Sequence, residues 1–222
     1  MARPSAVVRT VALAVSFAYS LILLASGLDL PGWARTLVSL FPTLAVGALV
    51  MWDLWLWRLP FVQPLVRRPD LRGLWKVELT PHPDSHIPAE GNSGPVAAFL
   101  EVTQTYWSIY TRLYTAESSS RSTATTWMPT FESTVDNLTY TYENEPKVAV
   151  SHRSARSTGS CTLKPASMKP VEMEGTYFTD RLAKGDMTLV WIDRSKGHAN
   201  FESALRHAEQ TSSRGTESGD VT

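Results

Sequence analysis

Residues 173–187, "MEGTYFTDRLAKGDM", decide how the chain is read. A run rich in aromatic and hydroxyl side chains meets a charged, glycine-bearing turn and then a second run, "GDMTLVWID" (185–193), which together make a β-hairpin across "RLAKG". Side chains alternate across a strand, so Gly175, Tyr177, Thr179 and Arg181 share one side of the pleat. A guanidinium beside a tyrosine on an inner face needs a reason, because burying an unpaired cation is costly.

The alternation continues upstream. "LRGLWKVELT" (71–80) sets Gly73, Trp75, Val77 and Leu79 against Lys76, Glu78 and Thr80. A loop dense in Pro, Gly, Ser and Asp follows, "PHPDSHIPAEGNSGP". Residues 96–115, "VAAFLEVTQTYWSIYTRLYT", are too long and too rich in β-branched and aromatic side chains for one ordinary strand. They are read as two strands, or one sharply bent strand, turning near Thr105. "SSSRSTATTWM" (118–128), "LTYTYENEP" (138–146) and "TGSCTLKP" (158–165) supply three more. Seven or eight short antiparallel strands in about 120 residues define a small closed barrel or a sandwich. The fold class taken forward is all-β: an eight-stranded antiparallel β-barrel over residues 71–194. Beyond Ile192 the chain turns polar; a short helix is expected at most over 201–209, and 195–222 is expected to be a polar, disordered tail.

The first 58 residues have a different composition. "VALAVSFAYSLILLASGL" (11–28) carries no charge and, as a helix, covers about 27 Å, close to the hydrocarbon thickness of a bilayer. After the helix-breaking "DLPGWART", residues 37–57, "LVSLFPTLAVGALVMWDLWLW", give a second span of about 31 Å. Trp52, Trp55 and Trp57 crowd its far end, where indoles favour the headgroup region. The expectation is a transmembrane helical hairpin over 1–58, then a proline-rich juxtamembrane linker over 59–70. Arg3 and Arg9 precede the first span and Arg58, Arg67, Arg68 and Arg72 follow the second, against Arg35 alone in the turn, which places both termini in the cytoplasm. A cleaved signal sequence is the alternative for the first segment, but its apolar run is longer than usual and a second span follows at once. Asp53 is the only acid in either span and is expected as a paired or snorkelling carboxylate near Arg58.

Composition excludes several functions. The chain holds 21 Lys and Arg and 21 Asp and Glu; of these only Arg3, Arg9, Arg35, Asp29 and Asp53 precede position 58, so the remainder carries about −1. That is no groove for a nucleic-acid polymer. The single cysteine, Cys161, rules out an internal disulfide framework and favours a reducing compartment. His82 and His86 are separated by Pro83 outside any helical context, so no metal site is expected. His152 and Cys161 lack a third catalytic partner, and there is no phosphate-binding glycine loop, so the chain is read as a receptor and not an enzyme, with no cofactor.

A binding barrel accounts for the polar stripes better, because an eight-stranded barrel can enclose one small ligand. Tyr140, Tyr142 and Asn144 share one face of "LTYTYENEP", as Tyr177, Thr179 and Arg181 share one face of "GTYFTDR". Rings stack on bases, amides and hydroxyls read base edges, and a guanidinium pairs with phosphate, so a nucleotide-like ligand suits them. The competing reading makes the rings core and Arg181 a rim residue with a solvated head. A membrane-tethered, lipocalin-like carrier of an apolar molecule is the other alternative.

The succession of two spans, "GLWKVEL", "LEVTQTYWSIY" with the following "SSSRSTATT", "LTYTYENEP", and "MEGTYFTDRLAKGDM" with "TLVW" resembles a known family. These are the two-transmembrane β-barrel effectors of CBASS, the cyclic-oligonucleotide anti-phage signalling systems of bacteria. The likeness covers roughly residues 7–192. It implies that a nucleotidyltransferase makes a cyclic dinucleotide, that the cytosolic barrel binds it, and that subunits then homo-oligomerise and disrupt the inner membrane, killing the infected cell. Gly73 and Trp75 match the first motif, Gln104, Thr105 and Trp107 the second, and Ser120 the serine run. Tyr140, Tyr142, Asn144 and Pro146 match the tyrosine strand, and Gly175, Tyr177, Thr179, Arg181 and Gly185 the last hairpin. The resemblance thus assigns phosphate to Arg181, base stacking to Tyr142 or Tyr177, and polar contacts to Asn144 and Thr179, with Tyr140, Thr105, Trp107 and Ser120 as further ligand contacts. The chain departs from the family where a His-x-Gly is expected before the sixth strand: His152 is followed by "RSARSTGS", which displaces the glycine to Gly159.

Overall fold

The computed structural model describes residues 4–25, 31–87, 92–130, 133–152 and 154–217. They form two compact units: residues 1–64 with the turn 105–108, and residues 65–104 with 109–222.

The first unit is built on α1 (Pro4–Ala25) and α2 (Gly32–Leu54). Among the described residues only α2 is long and apolar enough to cross a membrane; the apolar part described for α1, Arg9–Ala25, is shorter, and the expected first span continues past it into 26–28, outside the described residues. α2 runs through Pro42 and ends at Leu54, before a single 3-10 turn at Leu56–Arg58. Ser20 and Thr43 hydrogen-bond between the helices at 2.7 Å, and Thr43 donates to the Ser16 carbonyl at 3.2 Å. Asp53 is buried and paired, as expected, but its cation is Arg9 of α1 and not Arg58. Its carboxylate also accepts the Trp107 N–H at 3.0 Å, and its carbonyl accepts the Tyr106 N–H at 2.9 Å.

The one-turn α3 (Gln63–Val66) precedes a closed barrel of eight strands: β1 (Gly73–Pro81), β2 (Val96–Gln104), β3 (Ile109–Thr115), β4 (Ser118–Met128), β5 (Asn137–Pro146), β6 (Ser157–Pro165), β7 (Glu172–Thr179) and β8 (Lys184–Asp193). Each strand pairs antiparallel with the next, and β1 closes on β8. The long 96–115 stretch is two strands joined by the turn 105–108. The β3–β4 ladder holds only three pairs, Arg112↔Arg121, Leu113↔Ser120 and Tyr114↔Ser119; beyond it the Ser122 hydroxyl takes the Thr111 N–H at 2.9 Å.

Inward positions sort by height along the barrel. At the end holding the start of β1, Trp75, Leu100, Val102, Leu138, Leu163 and Leu189 are buried against one another. Each such side chain contributes about 1.5–3 kcal/mol on burial. This end is sealed by side chains that satisfy the lead-in to β1: Gln104 accepts the Leu71 N–H and donates to the Pro69 carbonyl, at 2.9 and 2.8 Å. Asp70 takes a two-pronged bond from Arg72 and a third from Arg194. At the opposite end the inward residues turn polar, and there the barrel is open.

The polar tail is largely helical. Residues Phe201–Glu217 form α4, so 211–217, expected to be disordered, continue a helix that the sequence supports only to about 209; residues 218–222 lie outside the described set. Asn200 caps it, exchanging hydrogen bonds with Ser203 at 2.9 and 3.2 Å. Ala204 is buried against Leu74, Phe99 and Tyr114, which face outward from the barrel wall, with Phe201 and Ala208 beside them.

Candidate functional site

The open end holds a cavity of about 130 Å³. Its walls are Thr111, Ser120, Tyr142, Asn144, Tyr177 and Thr179, with Tyr140, Cys161 and Met187 deeper in. The sequence pattern brings them together because strand ends of opposite direction meet at one rim: the last residues of β5 and β7 stand beside the first of β4 and β6. The Ser120 hydroxyl donates to the side-chain amide oxygen (Oδ1) of Asn144 at 3.1 Å across the β4–β5 ladder.

Two tyrosine rings lie against glycines on the neighbouring strand. Tyr142 faces Gly159, where an added Cβ would come 2.5 Å from its Cζ and Oη. Tyr177 faces Gly185, where a Cβ would stand 2.9 Å from its Oη. The displaced glycine of the sixth strand is therefore the one that seats a cavity tyrosine.

The tyrosines and the cysteine of the interior are uncharged near neutral pH, and Arg121, which also borders the cavity, is paired with Glu143. Burial pushes the Tyr140 phenol well above its ordinary value, with the neighbouring Cys161 adding to the effect. Burial likewise raises Tyr142 and Tyr177, and pushes the Cys161 thiol up to about 12. Cys161 contacts Met187, Sγ to Sδ 3.4 Å. These groups act as rings, hydroxyls and soft surface, not as acids or bases.

Positive charge sits at the rim. Arg181 follows the end of β7 and lines a wider mouth of about 350 Å³ together with Tyr177, Thr179, Asn144 and His86. Its Nη1 donates to the Ser154 hydroxyl at 2.9 Å and to the Ala155 carbonyl at 3.3 Å. Both acceptors are neutral, and among the described residues no carboxylate lies within ion-pair distance of it. Arg121 and Arg156, on an adjoining rim cavity of about 290 Å³, are instead paired with Glu143 and Glu145. Arg181 is thus a cation fixed at the mouth by groups that leave its charge available to an anion.

Of the residues singled out in the sequence, Ser120, Tyr140, Tyr142, Asn144, Tyr177 and Thr179 line the inner cavity and Arg181 its mouth. Thr105 and Trp107 are not among them. They lie in the turn after β2, at the strand end remote from Val96, and belong to the first unit, where Thr105 bonds Ser108 and the Trp107 N–H meets Asp53. Arg181 stands at the rim and not on the inner face proper. Thr111, Leu113 and Ser157 were missed, although the alternation of "IYTRLYT" puts Thr111 and Leu113 on one face once the strand limits are known.

An eight-stranded barrel filled at one end, with a cavity lined by aromatic, apolar and hydroxyl side chains and a cation at the other, is a small-ligand receptor in architecture. Residues 66–190 match the family described as Cap15, cyclic dinucleotide receptor domain. The match spans more than half of the chain, and the protein belongs to this family, a CBASS effector whose barrel is the cyclic dinucleotide receptor. A search of curated proteins finds no match.

Proposed function

We propose that a cyclic dinucleotide seated at the open end of the barrel drives self-association of the chain and disruption of the bacterial inner membrane, so that an infected cell dies before phage mature. The observation that carries this reading is Arg181 at the mouth of a tyrosine-lined cavity: it feels the neighbouring Asp180 carboxylate but makes no close ion pair among the described residues, and a dianionic ligand supplies one. A neighbouring nucleotidyltransferase supplies the messenger. The apolar α2, with α1 beside it, makes the membrane contact, with both termini on the cytoplasmic side.

Coupling is linkage. Ligand favours the assembled form only by as much as it binds that form more tightly. The test uses the full chain in liposomes loaded with a fluorescent dye and a panel of cyclic dinucleotides. Dye release together with an increase in particle mass, both triggered by one member, supports the reading. Tight ligand binding with neither release nor assembly refutes the effector mechanism while leaving the receptor intact.

A further inference from the structure

The dimensions of the site say how much of the ligand it encloses. A cyclic dinucleotide carries two bases on a ring of two sugars and two phosphates, and the inner cavity measures about 130 Å³. An engineered protein cavity of about 150 Å³ is filled by one benzene molecule. Small-ligand pockets that swallow their ligands whole run to about 300–1,000 Å³. The inner part of the site opens directly into the mouth, with which it shares Asn144, Tyr177 and Thr179, and the space behind those residues has room for about one six-membered ring.

Its walls cannot retreat cheaply. Tyr140, Cys161 and Met187 at its base are 5%, 1% and 4% exposed and pack into the filled half of the barrel. On the sides, Tyr142 and Tyr177 already lie as close to the wall as Gly159 and Gly185 allow. A purine, with nine ring atoms, needs about half as much room again, and overpacking a close-packed wall is costly. Outside the cavity the constraint vanishes, because the mouth widens to about 350 Å³ at Arg181. The mouth is open to solvent and has room for the sugar–phosphate ring and a second base of either size.

We propose that the barrel encloses only one of the two bases, a pyrimidine, between Tyr142 and Tyr177, and leaves the other in the mouth, where its size is not read. Arg181 then meets the phosphate between the enclosed and the open nucleoside. The inference rests on reading this cavity as the ligand site. It makes recognition asymmetric: the receptor asks that one base be small and tolerates either kind at the second position.

The experiment is calorimetric titration of the full chain in detergent with five cyclic dinucleotides of one linkage: diuridine, uridine–adenosine, uridine–guanosine, diadenosine and diguanosine. The three that contain uridine should bind within about tenfold of one another, and the two all-purine ligands at least about a hundredfold more weakly, a size discrimination within the range of a well-packed pocket. All-purine ligands binding as tightly as diuridine would overturn the proposal. So would a hundredfold gap between the two mixed ligands and diuridine, since the second base would then be read as well. If none of the five binds, and none binds when the panel is repeated in the other common linkage, the premise that this cavity takes a cyclic dinucleotide base fails with the inference, an outcome distinct from either of the others.

Discussion

The ring of Tyr142 lies over Gly159, its partner on β6, so closely that any side chain at 159 would meet it. A Cβ there would also stand 2.5 Å from the Phe178 carbonyl, which as backbone cannot swing aside. Gly159→Ala is expected to lose about 1–3 kcal/mol of stability, the usual cost of overpacking, and to push the ring into the cavity. Thermal unfolding and ligand titration should report both losses; unchanged affinity would show that the ring's position does not matter to the ligand.

Arg181 is held by Ser154 and Ala155 and contributes nothing to the barrel's buried core. Arg181→Ala should keep the fold and the melting temperature while weakening cyclic dinucleotide binding about 10- to 100-fold, the worth of a charge-assisted bond. The weakening should shrink as salt is raised. A variant with full affinity would remove Arg181 from the site.

Asp70 ties the lead-in of β1 to the chain beyond β8. Burial pushes its carboxyl up, but the two-pronged bond from Arg72 and the charge of Arg194 outweigh burial and hold it below the ordinary value of 3.8. A depressed carboxyl stabilises the fold above its unfolded value, and that contribution disappears as pH falls from 3.8 through the lower folded value. Asp70→Asn should cost about 1–3 kcal/mol at neutral pH, less than a fully buried pair because Arg194 remains half in solvent. Urea unfolding of both proteins should show the gap closing with acid only below about pH 4; a gap independent of pH would assign the loss to packing.

Phe201 of α4 packs on Phe99 of β2, ring centroids 5.4 Å apart. Phe201→Ala should destabilise the protein by about 1–2 kcal/mol, since the ring is only half-buried, and should raise hydrogen exchange along α4 before the strands. Exchange rising equally in β2 and α4 would mean that the helix and the barrel unfold as one.

The strands were legible because alternation and turn residues agree at almost every boundary, as in β4, where the Ser/Thr run from Ser118 to Met128 coincides with the observed strand. α4 was underread because its apolar contacts, Phe201, Ala204 and Ala208, are few and small, and the patch they cover, Leu74, Phe99 and Tyr114, sits on the outer face of strands read for their inner one. In the site, residues that share a strand face, such as Tyr142 with Asn144 and Tyr177 with Thr179, were grouped by periodicity alone. Alternation does not say which end of a barrel a residue occupies. Thr105 and Trp107 follow β2 in sequence, yet an antiparallel strand carries them away from the mouth that Val96 adjoins. Likewise the acid at 53 could be read as paired, but its partner lies 44 residues away on another helix, beyond any local rule.

Cys161 is 1% exposed and its thiol is pushed up to about 12, so at neutral pH it is neither accessible nor ionised. It is also the only cysteine in the sequence. The natural protein is therefore expected to react slowly with thiol-directed reagents, which a labelling control on the natural chain checks before probes are introduced. A cysteine placed at Ser20, Ser39 or Thr43 would be the faster-reacting thiol in the chain. Its modification by a charged, membrane-impermeant reagent, with and without messenger, would report directly which face of the helical hairpin meets water when the receptor fires.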